Sequence, residues 1–257
     1  MSTQKFPMQT LPTVLGNTVL PDPSQSPLWK KSIAFIGDSI THNKFEQLQN
    51  PMTAGWPGRI GPKYEMTWCN LGLGGATVLS TTSNNTTTQL QALIEKGDAP
   101  DFIVMQGGIN DAYRGAPIGE LEDGFAIDGF SPDTFAGSLQ RLIAMAKEAF
   151  PGARIFYILF HRTPNSLSLG DLSQPLLPKG NPADYIAMAQ KVLEKWDVPY
   201  IDFFNDEVFN VEVFDTINDS KKYMFPDRLH LGSPEGYNVI TSYIAAWLEH
   251  CLAEDKE

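Results

Sequence analysis

The sequence predicts an α/β fold built on a five-stranded parallel sheet with helices on both faces. Three observations carry that prediction. Five short apolar runs recur along the chain, at Ser32–Ile36, Met66–Leu71, Asp101–Gln106, Arg154–Phe160 and Val198–Phe203. Several are apolar at consecutive positions, as strands covered on both faces require. They alternate with amphipathic segments of helix length, the pattern of strands joined by crossover helices.

Each helix has its own signal. Phe135, Leu139, Leu142, Ile143 and Ala146 fall on one face of a 3.6-residue period. A second helix opens at Asn181-Pro182, a capping residue and a first-turn proline, and stripes Tyr185, Ala189, Val192, Leu193 and Trp196. The last begins at Ser233-Pro234-Glu235 and carries Tyr237, Ile240, Ile244, Trp247, Leu248 and Cys251 on one side. A weaker pattern marks a helix over Thr88–Lys96. Residues 1–30, with Pro7, Pro12, Pro21, Pro23 and Pro27, read as an extended arm, and residues 31–257 as a single domain.

Composition narrows the function. With 257 residues, 42% apolar and 11% aromatic, the chain can build one continuous core. A formal net charge of −11 argues against nucleic acid and anionic membrane surfaces, and favours neutral or weakly charged small-molecule or glycan substrates. Cys69 and Cys251 cannot form a disulfide framework and read as core or near-core residues. No run reaches membrane-spanning length, and no basic segment leads into an apolar one at the start. The expectation is a cytoplasmic protein, although a secreted chain with its leader removed would read the same. Asn85-Thr86-Thr87 has the form of a glycosylation sequon, too short a signal to decide between them. No Cys/His cluster has metal-ligand spacing, so neither metal nor cofactor is expected. A homo-oligomer is compatible with everything above.

In parallel sheets the site lies outside the carboxyl ends of the strands. Three turns meet on that rim. Gly37-Asp38-Ser39 follows the first strand, so the Ser39 hydroxyl projects from a tight turn, as an activated nucleophile must. Asn70 to Thr77 leaves the second strand through Gly72, Gly74 and Gly75, whose freedom suits backbone N–H groups aimed at a ligand. Gly107-Gly108-Ile109-Asn110-Asp111 follows the third strand and supplies a side-chain amide. A nucleophile also needs a base and a group to orient it. Asp227 and His230, three residues apart ahead of the last helix, suit those roles. Of the four histidines, His161 also stands on the active rim and is the rival base; it reads better as a wall of the substrate pocket.

Together these blocks, Gly37-Asp38-Ser39, Gly75 within Gly74-Gly75-Ala76-Thr77, Gly108-Ile109-Asn110-Asp111 and Asp227-Arg228-Leu229-His230, resemble the four sequence blocks of the SGNH hydrolase, or GDSL esterase/lipase, superfamily, in the same order. The resemblance implies a flavodoxin-like three-layer α/β/α sandwich. It implies Ser39 as nucleophile, His230 as base and Asp227 as its partner, with an oxyanion hole from the N–H groups of Ser39 and Gly75 and the Asn110 amide; Gly74 is the alternative to Gly75. Asp38 and Asp111 read as holding their own turns. The expected reaction is hydrolysis of a short acyl ester, an O-acetyl group on a carbohydrate first, through an acyl-enzyme. A lysophospholipase or thioesterase acting on longer chains is the alternative within enzymes, and a non-catalytic carbohydrate-binding module is the one outside them. Part of the long insertion over 112–132 is expected to overhang the pocket, with Trp56, Phe125, Phe130 and His161 as lining residues.

Overall fold

The structure is a computed structural model, and it describes residues 22–42, 55–162, 178–206, 229–231 and 234–254. Five strands form one sheet: β1 Ser32–Ile36, β2 Thr67–Asn70, β3 Phe102–Gly107, β4 Arg154–Leu159 and β5 Tyr200–Asp202. Their order is β2-β1-β3-β4-β5 and every neighbouring pair is parallel. The helices are α1 Ser39–His42, α2 Pro57–Lys63, α3 Thr86–Lys96, α4 Ile109–Arg114, α5 Phe135–Ala149, α6 Pro182–Lys195 and α7 Pro234–Glu254. All five predicted strands are present, each within a residue or two of its expected bounds. The weak helix pattern starts two residues earlier than read, because the buried Asn85 caps it by accepting the Thr88 N–H. That burial closes the sequon to modification in the folded chain.

Alternation along the strands splits the core in two. Ala34, Ile36, Ile103, Met105, Ile155, Tyr157 and Leu159 face α3, α5 and α6, where Leu90, Leu93, Leu139, Leu142, Ile143 and Tyr185 pack. Ile33, Phe35, Phe102, Val104, Phe156, Ile158 and Ile201 face α2 and α7, against Ile60, Tyr64, Ile240, Ile244, Trp247 and Leu248. Strands with both faces buried cannot alternate apolar with polar, hence the continuous apolar runs. β2 is the exception, an edge strand with no fully buried residue. Cys69 therefore lies only half-buried, as does Cys251, and the two are not joined in a disulfide. Of the proposed arm, residues 22–30 turn back on the domain: Leu28 is fully buried beside α2, and the Lys30 N–H donates to the Tyr64 carbonyl. The rest of the arm lies outside the described residues. No described helix is long and apolar enough to cross a membrane.

This strand order places a topological switch point between β1 and β3. From β1 the chain winds outward to β2, then returns to β3 on the other side. The crevice between the carboxyl ends of β1 and β3 is where such sheets bind ligands.

Candidate active site

Gly37 ends β1 in a space that admits no side chain. A Cβ built there would lie 2.3 Å from Thr41 Oγ1 and 2.9 Å from Gln106 Oε1. The Gly37 N–H donates to Gln89 Oε1 at 2.8 Å, and its carbonyl accepts from Gln89 Nε2 at 2.9 Å. Asp38, fully buried, accepts the Ile40 N–H on Oδ1 and Gln106 Nε2 on Oδ2, each at 2.9 Å. It thereby caps the short α1 that carries Ser39. Gln106 Oε1 in turn accepts from the Thr41 hydroxyl at 2.8 Å and faces the Asp38 N–H. Burial pushes the Asp38 carboxyl up to about 6, opposed by the hydrogen bonds from Ile40 and Gln106 and by the His230 imidazole.

The two donor-bearing loops are held as firmly. Asn84 Nδ2 donates to the Gly74 carbonyl at 2.8 Å. In a trans peptide the N–H points opposite to the carbonyl, so this bond sets the direction of the Gly75 N–H. Gly75 itself has φ +77°, a conformation that glycine reaches without strain. Among the described residues, neither the Ser39 nor the Gly75 N–H is spent on a protein acceptor. Asn110 uses one amide hydrogen on the Ala76 carbonyl at 2.9 Å, which fixes the amide and leaves its second hydrogen. Asp111 does more than hold its own turn. Buried at the start of α4, it accepts the N–H groups of Val78 and Leu79, at 2.9 and 2.8 Å, and so ties the glycine loop to β3. Burial raises its carboxyl to about 6 against those hydrogen bonds.

His230 Nε2 lies 2.7 Å from Ser39 Oγ, across 191 residues of sequence. Its backbone is bracketed. The Leu229 carbonyl accepts from His161 Nε2 at 3.0 Å, and the Leu231 carbonyl accepts from the Tyr237 hydroxyl at 2.6 Å. Asp227 lies outside the described residues. A hydroxyl held on an imidazole nitrogen is the pairing that activates a serine nucleophile.

Of the four residues expected to line the pocket, His161, Trp56 and Phe130 are buried and Phe125 is exposed. His161 is buried, and its Nε2 must carry a hydrogen to reach a carbonyl, so it supports the His230 loop and lines no surface. Trp56 is buried against Phe35 and donates its indole N–H to the Ile40 carbonyl at 3.2 Å. Phe130 is buried against Trp196. Phe125 is exposed but stacks edge-on at 4.9 Å on Trp196, which closes α6 just before β5 begins. That is the opposite end of the sheet from Ser39. The insertion runs from the rim along the helical layer: its start meets the rim, where Arg114 donates to the Gly75 carbonyl, and its middle is pinned by Arg141 and Lys195 on the Ile127 and Glu122 carbonyls. Sequence reading missed Gln89, Asn84 and Tyr237. Gln89 alone left a signal, a polar residue inside the buried Thr86, Leu90, Leu93 stripe of α3.

The sequence model of the GDSL-like lipase/acylhydrolase family matches residues 35–239. No curated protein matches the chain. Among solved structures, a Lactobacillus plantarum protein is 24% identical, with 86% of this chain and 98% of that one covered and a TM-score of 0.65. A protein described as a possible lipase from Chitinophaga pinensis is 18% identical over 87% and 98%, with a TM-score of 0.63. The psychrotrophic esterase EstA from a Pseudoalteromonas species, inhibited by monoethylphosphonate, is 16% identical over 87% and 99%, with a TM-score of 0.57. These likenesses speak to the fold.

Proposed function

We propose that this chain, which belongs to the GDSL-like lipase/acylhydrolase family and is a carboxylic ester hydrolase, cleaves short acyl esters through Ser39, with O-acetyl groups on a carbohydrate as the first substrate class. The observation that carries the reading is the 2.7 Å contact between Ser39 Oγ and His230 Nε2 at the switch point of the sheet. Ser39 Oγ attacks the ester carbonyl as His230 Nε2 takes its proton. The oxyanion is received by the N–H groups of Ser39 and Gly75 and the second amide hydrogen of Asn110. His230 returns the proton to the departing alcohol, then activates water to release the acid. Asp227, three residues before His230, is assigned to orient the imidazole and stabilise its charged form.

Short, polar substrates are favoured by the rim. Of the exposed large apolar side chains among the described residues, only Leu73 stands on the loops around Ser39; Ile94, Leu121 and Phe125 lie elsewhere. Asn110 and Arg114 supply polar groups on the same rim.

Ser39→Ala is expected to abolish turnover of p-nitrophenyl acetate and labelling by a fluorophosphonate while the far-UV circular dichroism spectrum is kept. Full activity in that variant would overturn the mechanism. A panel of acetylated sugars against acyl esters of increasing chain length then decides the substrate class, and preference for chains of eight carbons or more would sink the carbohydrate reading.

A further inference from the structure

Gln89 makes no contact with Ser39, yet the hydrogen bonds around it tie the nucleophile's turn to the loop that carries the second backbone donor. Its side-chain amide pairs with the whole Gly37 peptide unit on both sides, accepting the N–H at 2.8 Å and donating to the carbonyl at 2.9 Å. The same Gly37 carbonyl accepts the Leu73 N–H at 2.9 Å. Gly37 lies two residues before Ser39, and Leu73 two residues before Gly75. One carbonyl thus joins the two strand-end turns that carry the proposed donors, and Gln89 sets where that carbonyl sits. Gln89 is itself 3% exposed, held by α3 among Leu90 and Leu93.

We infer that Gln89 is a positioning residue for catalysis: it fixes the spacing between the Ser39 and Gly75 N–H groups and so tunes the oxyanion site, resting on the reading of Ser39 as nucleophile. A polar side chain is costly in this setting unless both its donor and acceptor are used. A role in fold stability alone would be served by any buried partner for one Gly37 atom. Gln89 instead uses both ends on the residue where the two turns are joined. Transition-state donors must be placed to within a fraction of an ångström, so a shift of the Gly37 carbonyl reaches turnover before it reaches binding.

The test uses two variants and p-nitrophenyl acetate. Gln89→Met keeps length and apolar packing but offers Gly37 nothing; kcat is expected to fall about 10–100-fold with KM within about 3-fold. Gln89→Glu carries the sharper readout. As a neutral acid, a glutamate can accept the Gly37 N–H through its carbonyl oxygen and donate its O–H to the Gly37 carbonyl, as the amide does. Once ionised it has no donor and sets a negative oxygen against that carbonyl. Burial raises such a carboxyl above its ordinary range. The wild-type profile, measured over the same pH range, is the reference. The Gln89→Glu profile should decline above its optimum as the introduced acid ionises, with kcat recovering toward wild type on the acid side. Should Gln89→Met fail to fold, the Gln89→Glu profile decides by itself. A Gln89→Glu profile of wild-type shape overturns the inference, as does a wild-type kcat in folded Gln89→Met. Ser39→Ala separates the two levels: if it stays active, the nucleophile assignment has failed; if it is dead while the Gln89 variants behave as wild type, only the positioning role has failed.

Discussion

The nucleophile and the base are held in place by opposite means. The Ser39 turn is gripped from beneath by buried polar side chains, Gln89, Gln106 and Asp38, which engage its N–H and carbonyl groups directly. The base is held through its neighbours, with the Leu229 and Leu231 carbonyls bonded by His161 and Tyr237 from separate parts of the fold. The first arrangement places a buried carboxyl on the residue next to Ser39. In the second, the two bracketing bonds come from neutral donors, His161 Nε2 and the Tyr237 hydroxyl. Turns at strand ends can be locked by residues of the adjacent strands and helices. The His230 loop enters the site from far along the chain, and it must be caught by the tail of β4 and the start of α7.

The largest effect that probes this difference comes from exchanging each histidine for glutamine, whose amide nitrogen reaches about where Nε2 does. In His230→Gln the proton acceptor is gone, and kcat/KM on p-nitrophenyl acetate should fall by about 10⁴-fold or more. In His161→Gln the donor to the Leu229 carbonyl is retained, and activity should stay within about 10-fold of wild type. His161→Phe removes the donor to the Leu229 carbonyl, at a cost of about 1–3 kcal/mol in denaturant unfolding. If His161→Gln proves as dead as His230→Gln, then His161 takes part in proton transfer and the bracket is not its role.

Next in size is the pH dependence of stability, which only the carboxyl-bearing loops should show. Asp38 and Asp111 each titrate near 6 in the folded chain, against about 3.9 for an unfolded aspartate. The folded state binds these protons more tightly than the unfolded one. Their contribution to stability is therefore fully present below about pH 4 and is lost as pH rises through about 6, on the order of 3 kcal/mol per group. In Asp38→Asn the titrating group is removed, so the loss of Tm between pH 4 and 6 should be visibly shallower than in wild type, the remainder coming from Asp111. An unchanged slope would mean that Asp38 is not the group that titrates there.

How much of this was legible in the sequence follows from where the signals are local. The strands and their parallel arrangement could be read because burial on both faces leaves continuous apolar runs. Ser39, Gly75, Asn110 and His230 stood out because each ends a strand or precedes a helix in a distinctive short block. The supports did not. Asn84 and Tyr237 act through contacts with backbone carbonyls, which any nearby donor can make and no short motif encodes. Gln106 ends an apolar strand and was read only as part of it. Aromatic residues near a predicted rim were read as lining residues, whereas large rings are more often buried in the core. Trp56 and Phe130 are core residues, and the path of the insertion, which put Phe125 at the wrong end of the sheet, depends on distant anchors such as Arg141 and Lys195.

Phe125 gives the smallest expected effect and a control for the others. It is 61% exposed and stacks on Trp196, with Lys195 Nζ 5.1 Å from its ring centre. Those contacts tie the insertion to the end of α6, away from both turns and from the His230 loop. Phe125→Ala should leave kcat and KM unchanged for any ester in the panel and cost about 1 kcal/mol of stability, the worth of one aromatic pair with its share of buried area. A change in acyl-chain preference would place the insertion over the crevice after all. An unaltered profile separates the two ends of the sheet: polar groups that support the chemistry at the carboxyl ends of the strands, and aromatic packing that holds the insertion at the other.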